Sequence, residues 1–153
     1  MNRTVNSITA RLSLRKPQEE SLEILANILE SIELSKTPDL VQALKTIEGM
    51  YPSVKDFERE FPSLCFALAT GVGKTRLMGA FIAYFYLTGR SHNFFVLAPN
   101  LTIYDKLISD FSPQSPKYVF KGIAEFATNQ PVIITGDNYE SGIGKAQNTF
   151  SRA

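Results

Sequence analysis

One run, Leu68-Ala69-Thr70-Gly71-Val72-Gly73-Lys74-Thr75, constrains the fold of this chain more than any other. An apolar stretch of strand length, Leu64 to Leu68, leads into it, and an apolar stretch of helical length, Leu77 to Leu87, follows. Two glycines one residue apart between such stretches predict a tight strand-to-helix turn. Gly71 and Gly73 permit positive φ and bring main-chain N–H groups together with no Cβ in the way. At a helix N-terminus such a row of donors makes a nest for an anion. Lys74 supplies a point charge to the phosphates, and the Thr75 hydroxyl a ligand for a hard cation. The expected cradle comprises Ala69, Thr70, Gly71, Val72, Gly73, Lys74 and Thr75, with Arg76 facing phosphate, nucleic acid or solvent. The strict phosphate-loop pattern places a glycine where Leu68 stands.

Around this turn the pattern alternates. Leu22, Ile24, Leu25, Ile28, Leu29 and Ile32 recur at helical spacing between Pro17 and about Leu34, with Glu19, Glu20 and Glu23 in the first turns, where the helix dipole favours acids. Thr37-Pro38-Asp39 reads as a second helix start, Thr37 capping and Pro38 in the first position, running to about Met50. Residues 51–62 read as a connection. Short apolar runs at 64–68, 93–97, 118–120 and 132–134 read as strands, with helices at 74–87 and 101–111 between them. Such alternation predicts an α/β fold, a parallel sheet covered by helices, with an N-terminal helical extension over 1–60 and a core over 61–140. The segment 141–153 reads as a disordered tail.

Composition narrows the class. Sixteen basic and 15 acidic side chains leave a net charge of +1, which excludes a strongly basic nucleic-acid coat. One cysteine, Cys65, and one histidine, His92, exclude an intrachain disulfide and a thiolate cluster and leave little for zinc. That usage predicts a reducing compartment, the cytoplasm, and no apolar run is long enough for a membrane span. The first sixteen residues hold Arg3, Arg11, Arg15 and Lys16 with no acid. They resemble an organelle transit peptide on one reading and lead directly into a helix on the other. Cys65, inside an apolar run, reads as a buried thiol, and Phe81, Tyr84, Phe85 and Tyr86 as core.

Three segments together resemble superfamily-two helicases and translocases, closest to the Res subunit of type III restriction enzymes. The first is the core Ala69 to Thr75, where that group often has a larger apolar residue in place of the first glycine. The second, Leu14-Arg15-Lys16-Pro17-Gln18-Glu19-Glu20, looks like the family's adenine-reading Q motif. The resemblance implies that Gln18 pairs with adenine, since an amide offers both donor and acceptor; by spacing alone Gln18 is an exposed helix residue. The third, Val96-Leu97-Ala98-Pro99-Asn100-Leu101-Thr102, is similar to motif Ia. There Pro99, Asn100 and Thr102 would meet a nucleic-acid backbone, with a plain helix cap as the alternative. Thr135-Gly136 corresponds more weakly to another strand-contacting turn.

The resemblance implies a partial RecA-like P-loop NTPase domain that binds ATP and Mg²⁺, with Lys74 and Thr75 in catalytic roles and Thr75 on the metal. It implies double-stranded DNA as partner of the full motor and a modification methyltransferase subunit beside it. One part of the pattern is missing: no Asp-Glu pair, which in the family holds Mg²⁺ and activates water, occurs anywhere in the chain. The expectation is therefore an ATP-binding front segment of a restriction or defence motor, with hydrolysis left to motifs not present here. Two alternatives stand beside it: a small stand-alone P-loop kinase, and a truncated remnant without function.

Overall fold

A computed structural model describes residues 2–35 and 37–139. The expected tail at 141–153 lies outside the described residues. The chain divides into two compact units, residues 1–95 and 96–153.

The first unit is built on three mutually packed helices, α1 (Arg3–Leu12), α2 (Lys16–Ser31) and α4 (Lys74–Leu87), with α3 (Leu40–Met50) against α2. Helix α1 forms because Val5, Ile8 and Leu12 recur on one buried face and Asn2 caps the start, its side-chain oxygen accepting from the Thr4 and Val5 amides. It stops at Ser13, which takes the left-handed conformation (φ 49°) while its amide and that of Leu14 return to the Ala10 and Thr9 carbonyls. The basic, acid-free N-terminal stretch is thus an amphipathic helix within the fold.

Helix α2 buries Leu22, Leu25, Ala26 and Leu29 towards its neighbours and turns Ile28 towards a second cluster. There Ile28, Ala43, Ile47 and Phe57 pack together, flanked by Ile24, Leu44, Tyr51 and Val54. The cap of α3 is Asp39, whose carboxylate accepts from the Gln42 amide at 2.9 Å. This corrects the expected Thr37 cap: the helix begins two residues later, where the carboxylate reaches its N3 amide. Helix α4 buries Leu77, Ala80, Ala83 and Tyr84. The Tyr84 hydroxyl bonds Asn2 at 3.0 Å and Glu30 at 3.3 Å, joining α4 to the start of α1 and the end of α2. Burial, the largest influence, pushes this phenol above its ordinary value.

The second unit centres on α5 (Leu101–Phe111), followed by turns that lead to the four-residue α6 (Glu125–Thr128). Phe120 stacks on Phe126 with ring centroids 4.2 Å apart and meets Phe111 and Tyr118 at 5.6 and 5.7 Å. Asp110, buried, pairs with Lys106, and its backbone carbonyl accepts from the Val119 amide at 2.8 Å.

The expected α/β architecture is not what the chain forms. Among the described residues every regular element is a helix, and no β-ladder joins 64–68, 93–97, 118–120 and 132–134. The described residues therefore do not form the parallel sheet expected of a RecA-like domain. An apolar run records only that a segment suits burial, whereas a strand exists only with a neighbour about 4.8 Å away to take its hydrogen bonds. At 118–120 a local solution wins: the Val119 amide bonds back to α5, and Phe120 enters the aromatic cluster. At 93–97 the side chains stand open, Phe95 at 88% and Leu97 at 77% exposure. Cys65 shares this outcome. It is exposed, on a run that joins no β-ladder among the described residues.

Tyr118 gives a stability prediction. Its hydroxyl is buried without a hydrogen-bond partner among the described residues, and desolvation raises its pKa. Removing a buried, unsatisfied hydroxyl relieves a cost of about 1–3 kcal/mol. Tyr118→Phe should raise the urea midpoint with no change in slope; a lower midpoint would mean that the hydroxyl has a partner.

Candidate functional site

The turn between Leu68 and Lys74 has the backbone geometry that its glycines permit. Gly71 has φ 82° and Gly73 φ 93°, both in the left-handed region. Gly73 is the N-cap of α4, and its carbonyl takes the first returns of that helix, from the Arg76 amide at 3.0 Å and the Leu77 amide at 3.2 Å. The amides of Gly73 and Lys74 come before Arg76, the first residue whose amide returns to the helix start, the usual condition of donors at a helix N-terminus. The Lys74 ammonium folds back to donate to the Ala69 carbonyl at 3.1 Å. Ala69, Thr70, Gly71, Gly73, Lys74 and Arg76 are exposed, whereas Val72 and Thr75 are half-buried.

The first turn of α2 is seated on this loop. Gln18 is only 2% exposed. Its Nε2 donates to the Gly73 carbonyl at 2.9 Å, and its Oε1 accepts from the Arg15 amide at 2.8 Å. The Arg15 guanidinium approaches the Gly71 carbonyl at 3.5 Å. Thus the two sequence segments singled out at 14–20 and 69–75 meet in space, though 55 residues separate Gln18 from Gly73. Spacing gave Gln18 as an exposed helix residue; the fold buries it, because its amide partners lie on the loop and on its own helix cap.

The exposed part of the turn carries two cations, Lys74 and Arg76. On the Gly71 side the turn borders open space, since a Cβ placed there would meet nothing within 4 Å. Its charge, a lysine and an arginine at a helix N-terminus, is complementary to phosphate. For Mg²⁺ the residues provide less. Thr75 offers one hydroxyl, and no group of three or more His, Cys, Asp or Glu side chains that could hold a metal ion occurs among the described residues. A divalent ion here would rely on oxygens of its nucleotide, as Mg²⁺ commonly does.

In the second unit, Asn100 caps α5, its side-chain oxygen accepting from the Ile103 amide at 3.0 Å. Pro99, Asn100 and Thr102 are all exposed at that helix start. Asn138 organises the turn at 135–138, accepting from the Thr135 amide at 2.7 Å and donating to the Ile133 carbonyl at 3.1 Å. No helix among the described residues is long and apolar enough to cross a membrane.

A search of curated proteins returned no match, nor did a search of solved structures. A family model did match. The family described as type III restriction enzyme, res subunit, covers residues 11–152, a span that takes in Gln18, the glycine turn and the α5 cap. With nearly its whole length inside that match, this chain belongs to the type III restriction enzyme res subunit family.

Proposed function

We propose that this chain is an ATP-binding segment of a DNA helicase or translocase of a restriction or defence system, working in the cytoplasm. One observation carries the reading: two left-handed glycines open a helix whose first residue is Lys74, and the buried Gln18 is bonded to the carbonyl between them and that helix. Phosphates would be held by the amides of the turn, the Lys74 ammonium and the N-terminal field of α4. Thr75 would share Mg²⁺ with the nucleotide. Gln18 and Arg76 complete the set from the first turns of α2 and α4.

ATP hydrolysis drives movement in this class of motor. This chain's own residues bind and orient the triphosphate, while the acid that would activate water is not among them, since the chain has no Asp-Glu pair. Pro99, Asn100 and Thr102 would present the start of α5 to a DNA backbone: the Thr102 hydroxyl and the Asn100 amide nitrogen remain donors while the Asn100 oxygen caps the helix. Double-stranded DNA and a modification methyltransferase subunit are the partners that membership of the family suggests.

Titration with a fluorescent ATP analogue tests the reading. The chain should bind saturably, and Lys74→Ala should weaken binding by roughly 10–100-fold, since a charge-assisted contact to phosphate contributes about 1.5–3 kcal/mol. Equal affinity in both proteins would remove the role given to the loop. Rapid ATP turnover by these 153 residues alone would contradict the assignment of hydrolysis to an acid outside them.

A further inference from the structure

Gln18 is held at both ends of its amide, and that arrangement says how it acts. Its Oε1 accepts from the Arg15 amide at 2.8 Å and its Nε2 donates to the Gly73 carbonyl at 2.9 Å. The two partners fix the orientation of the group: reversing it would set carbonyl against carbonyl at Gly73 and N–H against N–H at Arg15. The Gly73 carbonyl already takes the Arg76 and Leu77 amides, so Gln18 brings it a third donor. The fit is close. A Cβ added at Gly73 would lie 2.7 Å from Gln18 Nε2, inside any normal contact. Two-point pairing with adenine needs the oxygen and one N–H of the amide presented together along an open edge. Here both heavy atoms face protein, and the side chain is 2% exposed.

We infer that Gln18 is a positioning residue of the glycine turn: by holding the Gly73 carbonyl it sets the cradle, so its influence on a ligand runs through the polyphosphate chain and not through the base. Arg15 supports the same turn of α2 on the loop from the Gly71 side. This rests on the phosphate-cradle reading above and adds to it which part of the nucleotide responds to Gln18.

The test pairs two probes on the full chain, ATP and inorganic tripolyphosphate, by calorimetry. Gln18→Glu keeps the shape and the oxygen facing Arg15 but turns the donor at Gly73 into an acceptor; Gln18→Met removes both bonds at similar volume and serves if the first variant loses helicity. The expected result is a Kd raised about tenfold or more, by the same factor for both probes, about 1.4 kcal/mol or more by the standard conversion. A loss for ATP with tripolyphosphate unchanged would overturn the inference in favour of base reading. Unchanged binding of both would overturn it too, while leaving the cradle in place. A native chain that took up neither probe would instead sink the cradle reading, and amide hydrogen exchange would then decide on Gln18 alone. Faster exchange at Arg76 and Leu77 in Gln18→Met, with the rest of α2 and α4 unaltered, supports positioning; unaltered rates there reject it.

Discussion

Gly73→Ala should cost this protein both stability and ligand affinity, and more of each than Gly71→Ala. Both glycines sit at positive φ, where an L-residue pays roughly 1–2 kcal/mol. They differ in their surroundings. A methyl at Gly71 enters open space, whereas at Gly73 it would lie 2.7 Å from Gln18 Nε2. The turn must then either leave the left-handed region or push Gln18 from the carbonyl that it holds, and a buried amide left unpaired adds about 1–3 kcal/mol. Thermal melts should therefore rank native above Gly71→Ala and Gly71→Ala above Gly73→Ala, and nucleotide titration should follow the same order. Combining Gly73→Ala with Gln18→Ala should cost less than the two singly, since the clash disappears with the amide. Equal penalties at the two glycines would show that the Gln18 contact does not constrain the turn.

Ile47→Ala should lower the unfolding free energy by about 2–5 kcal/mol, the range for truncating a fully buried isoleucine. Ile47 has no exposed surface and fills the centre of the small cluster that fastens α3 to α2. Its neighbours Ile28, Ala43 and Phe57 belong to three separate stretches of chain, which limits how far they can close a void together. Ile47→Val should cost only about 0.5–1.5 kcal/mol. Chemical denaturation measures both, and an alanine variant as stable as the native chain would mean that the cluster adapts around the loss. This cluster uses a different face of α2 from Leu22, Leu25 and Leu29, so nucleotide affinity of the folded variant should hold.

The helices that the sequence shows best are those whose identity is local. Helices α4 and α5 stand at Lys74–Leu87 and Leu101–Phe111, where apolar spacing placed them, and α2 begins one residue before Pro17. Periodicity within 10–16 residues suffices for these, because each turn of a helix bonds to the next. Helix α1 had the same signals in Val5, Ile8, Leu12 and the cap Asn2, but its basic, acid-free composition also fits a leader segment, and composition carries no phase. The sheet failed for the opposite reason. The residues of 93–97 describe a strand's side chains and say nothing of the neighbour that a ladder requires.

The candidate site was legible in part for similar reasons. The left-handed glycines follow from residue type, since few other residues adopt that backbone freely. The burial of Gln18 does not follow, because its partner lies 55 residues away and no spacing rule spans that distance. The Q-like segment directed attention to the right residue, whereas its seat on the Gly73 carbonyl required the packing of α2 against α4.

The Asn2 oxygen starts α1, and its amide nitrogen donates to Tyr84 on α4 and to Glu30 on α2. This one side chain therefore ties three helices together, one of which opens with Lys74.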